Sequence, residues 1–397
     1  MKLTRLFLTA VLCSVLPVTV LAATDDAIRI DREATASGLD FPPAIPIHIT
    51  GFSGEVDKTI KNDLFFMGFR LVSEKEARYL LQGKNEPGRV EGVLYDPFTK
   101  QTKVAKAFTG SGTRSQTHAL ADAVAQAAER IPIAQTKIAF LVQPSGVGPG
   151  EIYVADYDGY SAQSVTQDGV IVAAPAWGKG STLFYTSYKF GKPDIFSQNL
   201  STGARKAVAR FNGLNSSVAI SADGRRLAMI LGKSGNPDLY VSDIDGGNLR
   251  QLTTGKAVNA SPCWSPDGRT ICFCSDRTGV TALYTISAEG GALTRVPTTV
   301  GRPTEPDWSP DGKYIVFTSQ RRGGFDICVV SMDGSRRGQT TSLVEGEDPV
   351  WAPNSRAVVF ARNVNHRHVL SLLDVPSKQV KDVARISGSA SSPSWAR

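Results

Sequence analysis

The stretch "WSPDGKYIVFTSQRRGGFDICVVSMDGS", Trp308 to Ser335, decides the fold because the chain writes nearly the same words elsewhere. The segment "WSPDGRTICFCSDRTGVTALYTISAEGG", beginning at Trp264, keeps the same order: aromatic, tight turn, apolar strand, polar loop, second strand, small-residue close. Aligned on the residue before the turn, the chain gives Trp177, Ile220, Trp264, Trp308, Trp351 and Trp395, at steps of 43, 44, 44, 43 and 44 residues. A fixed period of this length marks an array of one supersecondary unit.

The grammar inside each unit says which one. The turn reads "SPDG" at 265–268 and 309–312, "SADG" at 221–224 and "APNS" at 352–355. Pro presets φ, and Asp or Asn with Gly accepts the tight geometry that follows. Short apolar runs ("TICFCS", "KYIVFTS", "RLAMIL", "RAVVFA") precede a polar loop and a second run ("DLYVSDI", "ALYTISA", "DICVVSM", "HVLSLLD"). Four short strands per period of ~44 residues is the signature of a propeller blade; a β-helix has shorter coils and a helical repeat has a 3.6-residue rhythm. Nine residues after Trp264, Trp308 and Trp351 stand Phe273, Phe317 and Phe360, with Met229 after Ile220. Antiparallel strands joined at the turn bring these bulky pairs together between blades.

The stretch 137–159, "KIAFLVQPSGVGPGEIYVADYDG", has the middle of a unit but no Trp strand before it, whereas the tail "SPSWAR" has that strand and nothing after it. Together they make one blade. The expected architecture is an N-terminal α/β domain followed by a six-bladed β-propeller closed by the C-terminal strand, which leaves no open sheet edge or gap in the core.

The opening "MKLTRLFLTAVLCSVLPVTVLAATDD" has Lys2 and Arg5, an apolar run and small residues up to Ala22. This predicts a cleaved export signal over 1–22, with no other segment apolar enough to span a bilayer. Residues 23–134 follow different rules: a helix then a strand within 57–73, strands in "ARYLLQG", "RVEGVLYDP" and "QTKVAKAFTG", and an Ala-rich helix over 115–131. They read as a small α/β domain with a mobile tail at 23–38, and 135–397 as the propeller. His118, inside the second helix, reads as a satisfied or surface histidine.

The net charge of +7 falls to +5 without Lys2 and Arg5, and the basic pairs Arg205-Lys206, Arg225-Arg226, Arg321-Arg322 and Arg336-Arg337 are scattered over separate repeats. That pattern is a solvated surface, not a nucleic-acid footprint. Four cysteines remain after export, Cys263, Cys272, Cys274 and Cys328, without metal-knuckle spacing. Cys263 and Cys272 flank one turn and are placed to face each other, with buried free thiols the favoured reading over a disulfide. No nucleophile elbow, phosphate loop or paired-carboxylate motif is present, and neither His366-Arg367-His368 nor Asp156-Tyr157-Asp158-Gly159 makes a convincing metal site; no cofactor and no catalytic residue is expected.

With these elements in view, the signal, the α/β domain, "HALAD" at 118–122, "ADYDGY" at 155–160, the repeated "PxWSPDGxxIxF" units and the closing "SPSW" resemble the TolB family, periplasmic propellers of the Tol–Pal cell-envelope system. The resemblance implies a non-enzymatic periplasmic adaptor that supports outer-membrane integrity and constriction during division. It implies binding of the peptidoglycan-associated lipoprotein Pal, and of other outer-membrane lipoproteins, on loops entering the Trp strands. Here those loops are Phe211, Asn212, Gly213 and Leu214; Val258, Asn259, Ala260 and Ser261; Arg302, Pro303, Thr304 and Glu305; and Gly346 with Glu347. It also implies that the tail, Asp25, Asp26, Ala27, Ile28, Arg29, Ile30 and Asp31, docks to TolA. A periplasmic enzyme or lectin acting on cell-wall sugars or peptides from the ring centre is the competing class.

Overall fold

The computed structural model of the chain describes residues 39–110, 112–383 and 388–397, together with the backbone of Val20–Leu21 and Arg385–Ile386, which pair antiparallel. The rest of the expected export signal and all of the tail at 25–31 lie outside the described residues.

Six four-stranded antiparallel sheets form the ring. Their innermost strands are Val172–Trp177, Asn215–Ile220, Asn259–Trp264, Arg302–Trp308, Glu347–Trp351 and Ser389–Trp395. The six residues aligned in the sequence are thus the last residues of six equivalent strands. The last of these pairs with Lys137–Gln143, so the C-terminal strand completes the first blade, as expected.

The cores lie between blades. Trp351 shares a buried cluster with Phe360 and with Tyr314 and Ile327 of the preceding blade. Trp264 and Phe273 pack likewise with Ala228 and Leu239, and Trp308 and Phe317 with Cys263 and Cys272. The nine-residue spacing is therefore a packing rule, which places the two large side chains of one hairpin in the seam with its neighbour. Cys263 and Cys272 are partners in strand register and both are free thiols. Burial pushes the Cys263 thiol well above its usual range, with Cys272 beside it adding to the effect.

Every innermost strand also carries a β-bulge. The bulged residues Ala174, Ser217, Ser261, Glu305, Asp348 and Ser392 all adopt positive φ, between 48° and 54°. In five of the six strands the next residue is Pro (Pro175, Pro262, Pro306, Pro349, Pro393). A residue with no N–H suits a point where the ladder is interrupted, which explains the Pro of the repeated motif.

The remaining elements form the α/β region: β1 (Ile45–Thr50), α1 (Gly54–Phe66), β2 (Phe69–Leu71), β3 (Tyr79–Glu86), β4 (Arg89–Asp96), β5 (Gln101–Thr109) and α2 (Thr113–Ala127). The sheet order is β2-β1-β3-β4-β5, with β1 parallel to both neighbours. The strand β1 was not read from the sequence, because "IPIHIT" is short and follows two prolines. Ile60 and Leu64 of α1 and Leu120 and Val124 of α2 are fully buried in one core that continues into Trp395 and Tyr157 of the ring. No helix among the described residues is long and apolar enough to cross a membrane.

Candidate functional site

Because all six innermost strands line one channel and run the same way, the ring has two unlike ends. We call the end where these strands begin the start face and the end where they finish the finish face. The start face also carries the turns between the second and third strand of every blade. The α/β region packs at the finish face, where Asn354 Nδ2 donates to the Phe66 carbonyl (2.8 Å) and Lys381 Nζ to Asn62 Oδ1 (2.7 Å).

Apart from Ser261 and Glu305, the residues of the expected partner-binding loops lie together at the start face, with uneven exposure. Asn212, Gly213, Val258 and Arg302 are exposed. Phe211, Leu214, Ala260, Ser261, Thr304, Glu305 and Glu347 are half-buried. Asn259, Pro303 and Gly346 are buried. Asn259, at 2% exposure, donates to the Pro237 carbonyl (2.9 Å) and accepts from Arg277 (2.9 Å), so it holds the loop instead of offering a polar contact. A Cβ at Gly346 would collide with the Phe360 ring and the Ala361 carbonyl, which accounts for that glycine by packing. Glu347 Oε1 lies 2.7 Å from His368 Nε2, giving the His366-Arg367-His368 segment the carboxylate neighbour the sequence did not suggest.

The channel opens instead toward the finish face, as a cavity of about 660 Å³ lined by the bulges of all six innermost strands, their five Pro residues and the turns that follow Trp177, Ile220, Trp264 and Trp308. Ser261 and Glu305 sit in its wall, not on the start face. Glu305 Oε2 accepts from Thr318 Oγ1 (2.6 Å) and from the Asp348 N–H (3.1 Å), and Asp348 Oδ2 accepts from the Ser392 N–H (2.8 Å). Each carboxyl thereby caps an N–H that the bulge of the next blade has freed. The residue between Pro and Trp repeats the device: Asp307 accepts from the Trp351 N–H (2.8 Å) and Ser394 from the Trp177 N–H (3.0 Å). These groups stitch neighbouring blades, and their engagement with backbone argues against an acid–base pair.

Burial, then the nearby Asp348 carboxyl, raises the Glu305 pKa from 4.5 to about 8. The folded state therefore resists ionisation that the unfolded chain undergoes freely, and stability falls as pH rises from 4.5 through about 8. Glu305→Gln is expected to raise the melting temperature at pH 8.5, by about 2 kcal/mol of stability, and to change it little at pH 4.5. Scanning calorimetry at the two pH values checks this; equal shifts at both would show that Glu305 does not titrate in that window.

The motifs "HALAD" of the α/β region and "ADYDGY" of the first blade meet where the α/β region joins the ring. His118 Nδ1 lies 2.8 Å from Asp63 Oδ2, and its Nε2 lies 3.6 Å from Asp158 Oδ2. Tyr157 Oη donates to Asp63 Oδ1 (2.6 Å), Arg114 binds Asp158, and the Arg114 guanidinium stacks 3.4 Å from the Tyr160 ring centre. Asp122 accepts from the N–H groups of Ala134 (2.8 Å) and Gln135 (3.1 Å) in the connection to the first blade. Donor atoms of Asp63, His118 and Asp158 fall within 4.8 Å of one another, but Tyr157 and Arg114 already occupy the carboxylates. The arrangement is an ion-pair network that pins two parts of the chain, and His118 is buried and engaged.

A six-bladed propeller with a helical α/β region packed against one end is thus the class of protein the geometry defines. The family described as TolB beta propeller domain matches residues 131–397. The chain belongs to that family. Among similar proteins, the Tol-Pal system protein TolB of Nitrosomonas europaea is 32% identical over 207 residues, 43% of this chain and 48% of that one. That of Haemophilus influenzae is 42% identical over 83 residues, 20% of this chain and 19% of that one. The matched segments thus span about half the length of these relatives, or less. The crystal structure of TolB from Acinetobacter baumannii shares the fold, with a TM-score of 0.78 at 23% identity over 89% of this chain and 97% of that one. Kuenenia stuttgartiensis hydrazine synthase also aligns (TM-score 0.53, 14% identity, 66% of this chain and 47% of that one). A ring of blades therefore does not by itself define an activity.

Proposed function

We propose that the protein is a non-enzymatic periplasmic adaptor of the Tol–Pal envelope system, with its start face docking the peptidoglycan-associated lipoprotein Pal and its tail at 25–31 docking TolA. In this reading 1–22 is the removed export signal, 23–134 the domain that presents the tail, and 135–397 the propeller. The adaptor supports outer-membrane integrity and constriction at division.

One observation carries the docking face. All six large apolar side chains that the ring exposes among the described residues lie at the start face: Val147 (74%), Ile171 (45%), Phe190 (54%), Val258 (52%), Val280 (50%) and Phe325 (39%). Apolar surface gathered at one end of a rigid disc is the usual mark of a protein contact. Of these six, only Val258 belongs to the loops expected from the sequence. The others stand beside glycines in the turns between second and third strands ("SGVGPG", "KFGK", "TGVT", "GGFD") or just before an innermost strand. An apolar residue in an otherwise polar, Gly-containing turn was the signal that could have found them.

The triple variant Phe190→Ser, Val258→Ser, Val280→Ser is expected to bind the soluble Pal domain with about 2–3 kcal/mol less free energy, a 30- to 150-fold loss by titration calorimetry. Its melting temperature should stay close to the parent's, because these side chains are exposed. Undiminished affinity would remove Pal from this face.

A further inference from the structure

The start face carries charge as unevenly as it carries apolar surface. Most of its carboxylates are ion-paired: Asp168 holds Lys189 and Arg205, Asp194 holds Arg210, Arg321 meets both Asp326 and the exposed Glu345, and Glu347 meets His368, while Asp276 caps the Val258 N–H. Five cations at the same end, Lys233, Lys256, Arg302, Arg322 and Arg367, are exposed and have no ion-pair partner among the described residues. Lys233 Nζ stands 4.7 Å above the Phe211 ring, which positions the ammonium without neutralising it. At the finish face Arg225, Arg269 and Lys313 are exposed too, but each follows a turn Asp by two residues (Asp223, Asp267, Asp311).

We infer that the start face selects a folded protein partner whose contact surface is acidic, with carboxylates set around an apolar centre. The inference rests on the docking reading above and adds the chemistry of the partner. Exposed cations interleaved with apolar side chains give a contact in which the apolar groups supply burial, while the charges steer the encounter and set register. Lysine and arginine heads left in water lose little on meeting carboxylates at a rim, whereas a basic partner would face repulsion at five points. An anionic lipid surface satisfies the same charges. The apolar residues, however, ring a rigid face whose perimeter is built from six separate hairpins, a shape suited to a convex domain and not to a flat bilayer.

The test uses the full chain and, as probe, the purified soluble domain of the Pal lipoprotein from the same cell. For the parent protein, raising salt from 50 to 300 mM is expected to weaken binding about 10-fold. The triple reversal Lys233→Glu, Arg302→Glu, Arg322→Glu is expected to weaken it about 100-fold at 50 mM salt, with an unchanged melt. Lysine substitutions at acidic contact residues of the probe should restore binding to the reversed variant. Salt-independent binding that survives the triple reversal overturns the acidic-partner inference. In that case loss of binding in the apolar Ser variant still supports the docking face, so the two readings fail separately. Sedimentation of the protein with phosphatidylglycerol vesicles, abolished by the reversal while Pal binding is untouched, would also overturn it and assign the cations to lipid.

Discussion

Cutting the chain after Ser391 is expected to cost the protein its cooperative melt, or to lower the melting temperature by about 10 °C or more. The deletion removes most of the innermost strand of the closing blade, including Trp395, which is 2% exposed. Trp395 stacks on Tyr157 with ring centres 6.1 Å apart, and its Nε1 donates to Thr136 Oγ1 (2.8 Å). The same segment supplies Ser394 to the Trp177 N–H (3.0 Å), and Arg397 to Asp307 and to the Trp351 carbonyl (3.1 Å). Loss of a buried Trp alone costs about 3–5 kcal/mol, and the deletion also exposes one edge of Lys137–Gln143, so the total approaches the about 5–15 kcal/mol that holds a typical domain together. Should the truncated chain fail to express, Trp395→Ala carries the same test at about 3–5 kcal/mol in a denaturant titration. A synthetic peptide of residues 389–397 supplied in trans should recover part of the melting temperature, because strand addition covers the open edge. A truncated protein that melts like the intact one would mean that the tail does not shut the ring.

The second large effect concerns His118. Burial by itself pulls its pKa down, but the facing Asp63, and then Asp158, outweigh both burial and the opposing Arg114, so the pKa is raised above 6.5. The charged groups around it come from α1 (Asp63, Glu55), α2 (Arg114), the first blade (Tyr157, Asp158, Tyr160) and the outer strand Gln379–Asp382 (Lys381). A histidine with a raised folded-state pKa contributes stability that is complete below its unfolded value of about 6.5 and fades as pH climbs through the folded value. His118→Gln is therefore expected to destabilise by about 3 kcal/mol at pH 5.5 and by markedly less at pH 9. Urea titrations at the two pH values decide it. An equal cost at both would mean that the neutral imidazole, through the Nδ1 contact alone, does the holding. Since the network joins α1 and α2 to the first blade, its weakening should appear first as faster amide exchange in Tyr157 and Asp158, ahead of the blade cores.

The period, the turn chemistry and the nine-residue pairing determined the ring from sequence alone. Each is a local rule repeated six times: a Pro-Asp-Gly turn fixes a hairpin, and two bulky residues on one hairpin must be buried together. Counting the incomplete unit at 137–159 against the tail was enough to close the circle, because a missing strand leaves an edge that only its complement can fill. The end of the ring bearing the expected loops also followed, since strand direction alternates. What the sequence did not determine was which side chains reach water there. Asn259 and Gly346 are polar or small by type, yet one is anchored by Pro237 and Arg277 and the other is pressed against Phe360. Phe190, Val280 and Phe325 look like core residues by type, yet a turn at the rim leaves them no second layer to pack against. The role of the proline before each Trp, the Glu305 contact across to the next blade and the meeting of "HALAD" with "ADYDGY" were decided only by tertiary structure. Such contacts join residues tens to hundreds of positions apart, and no pattern along the chain records the distance between two side chains once it has folded.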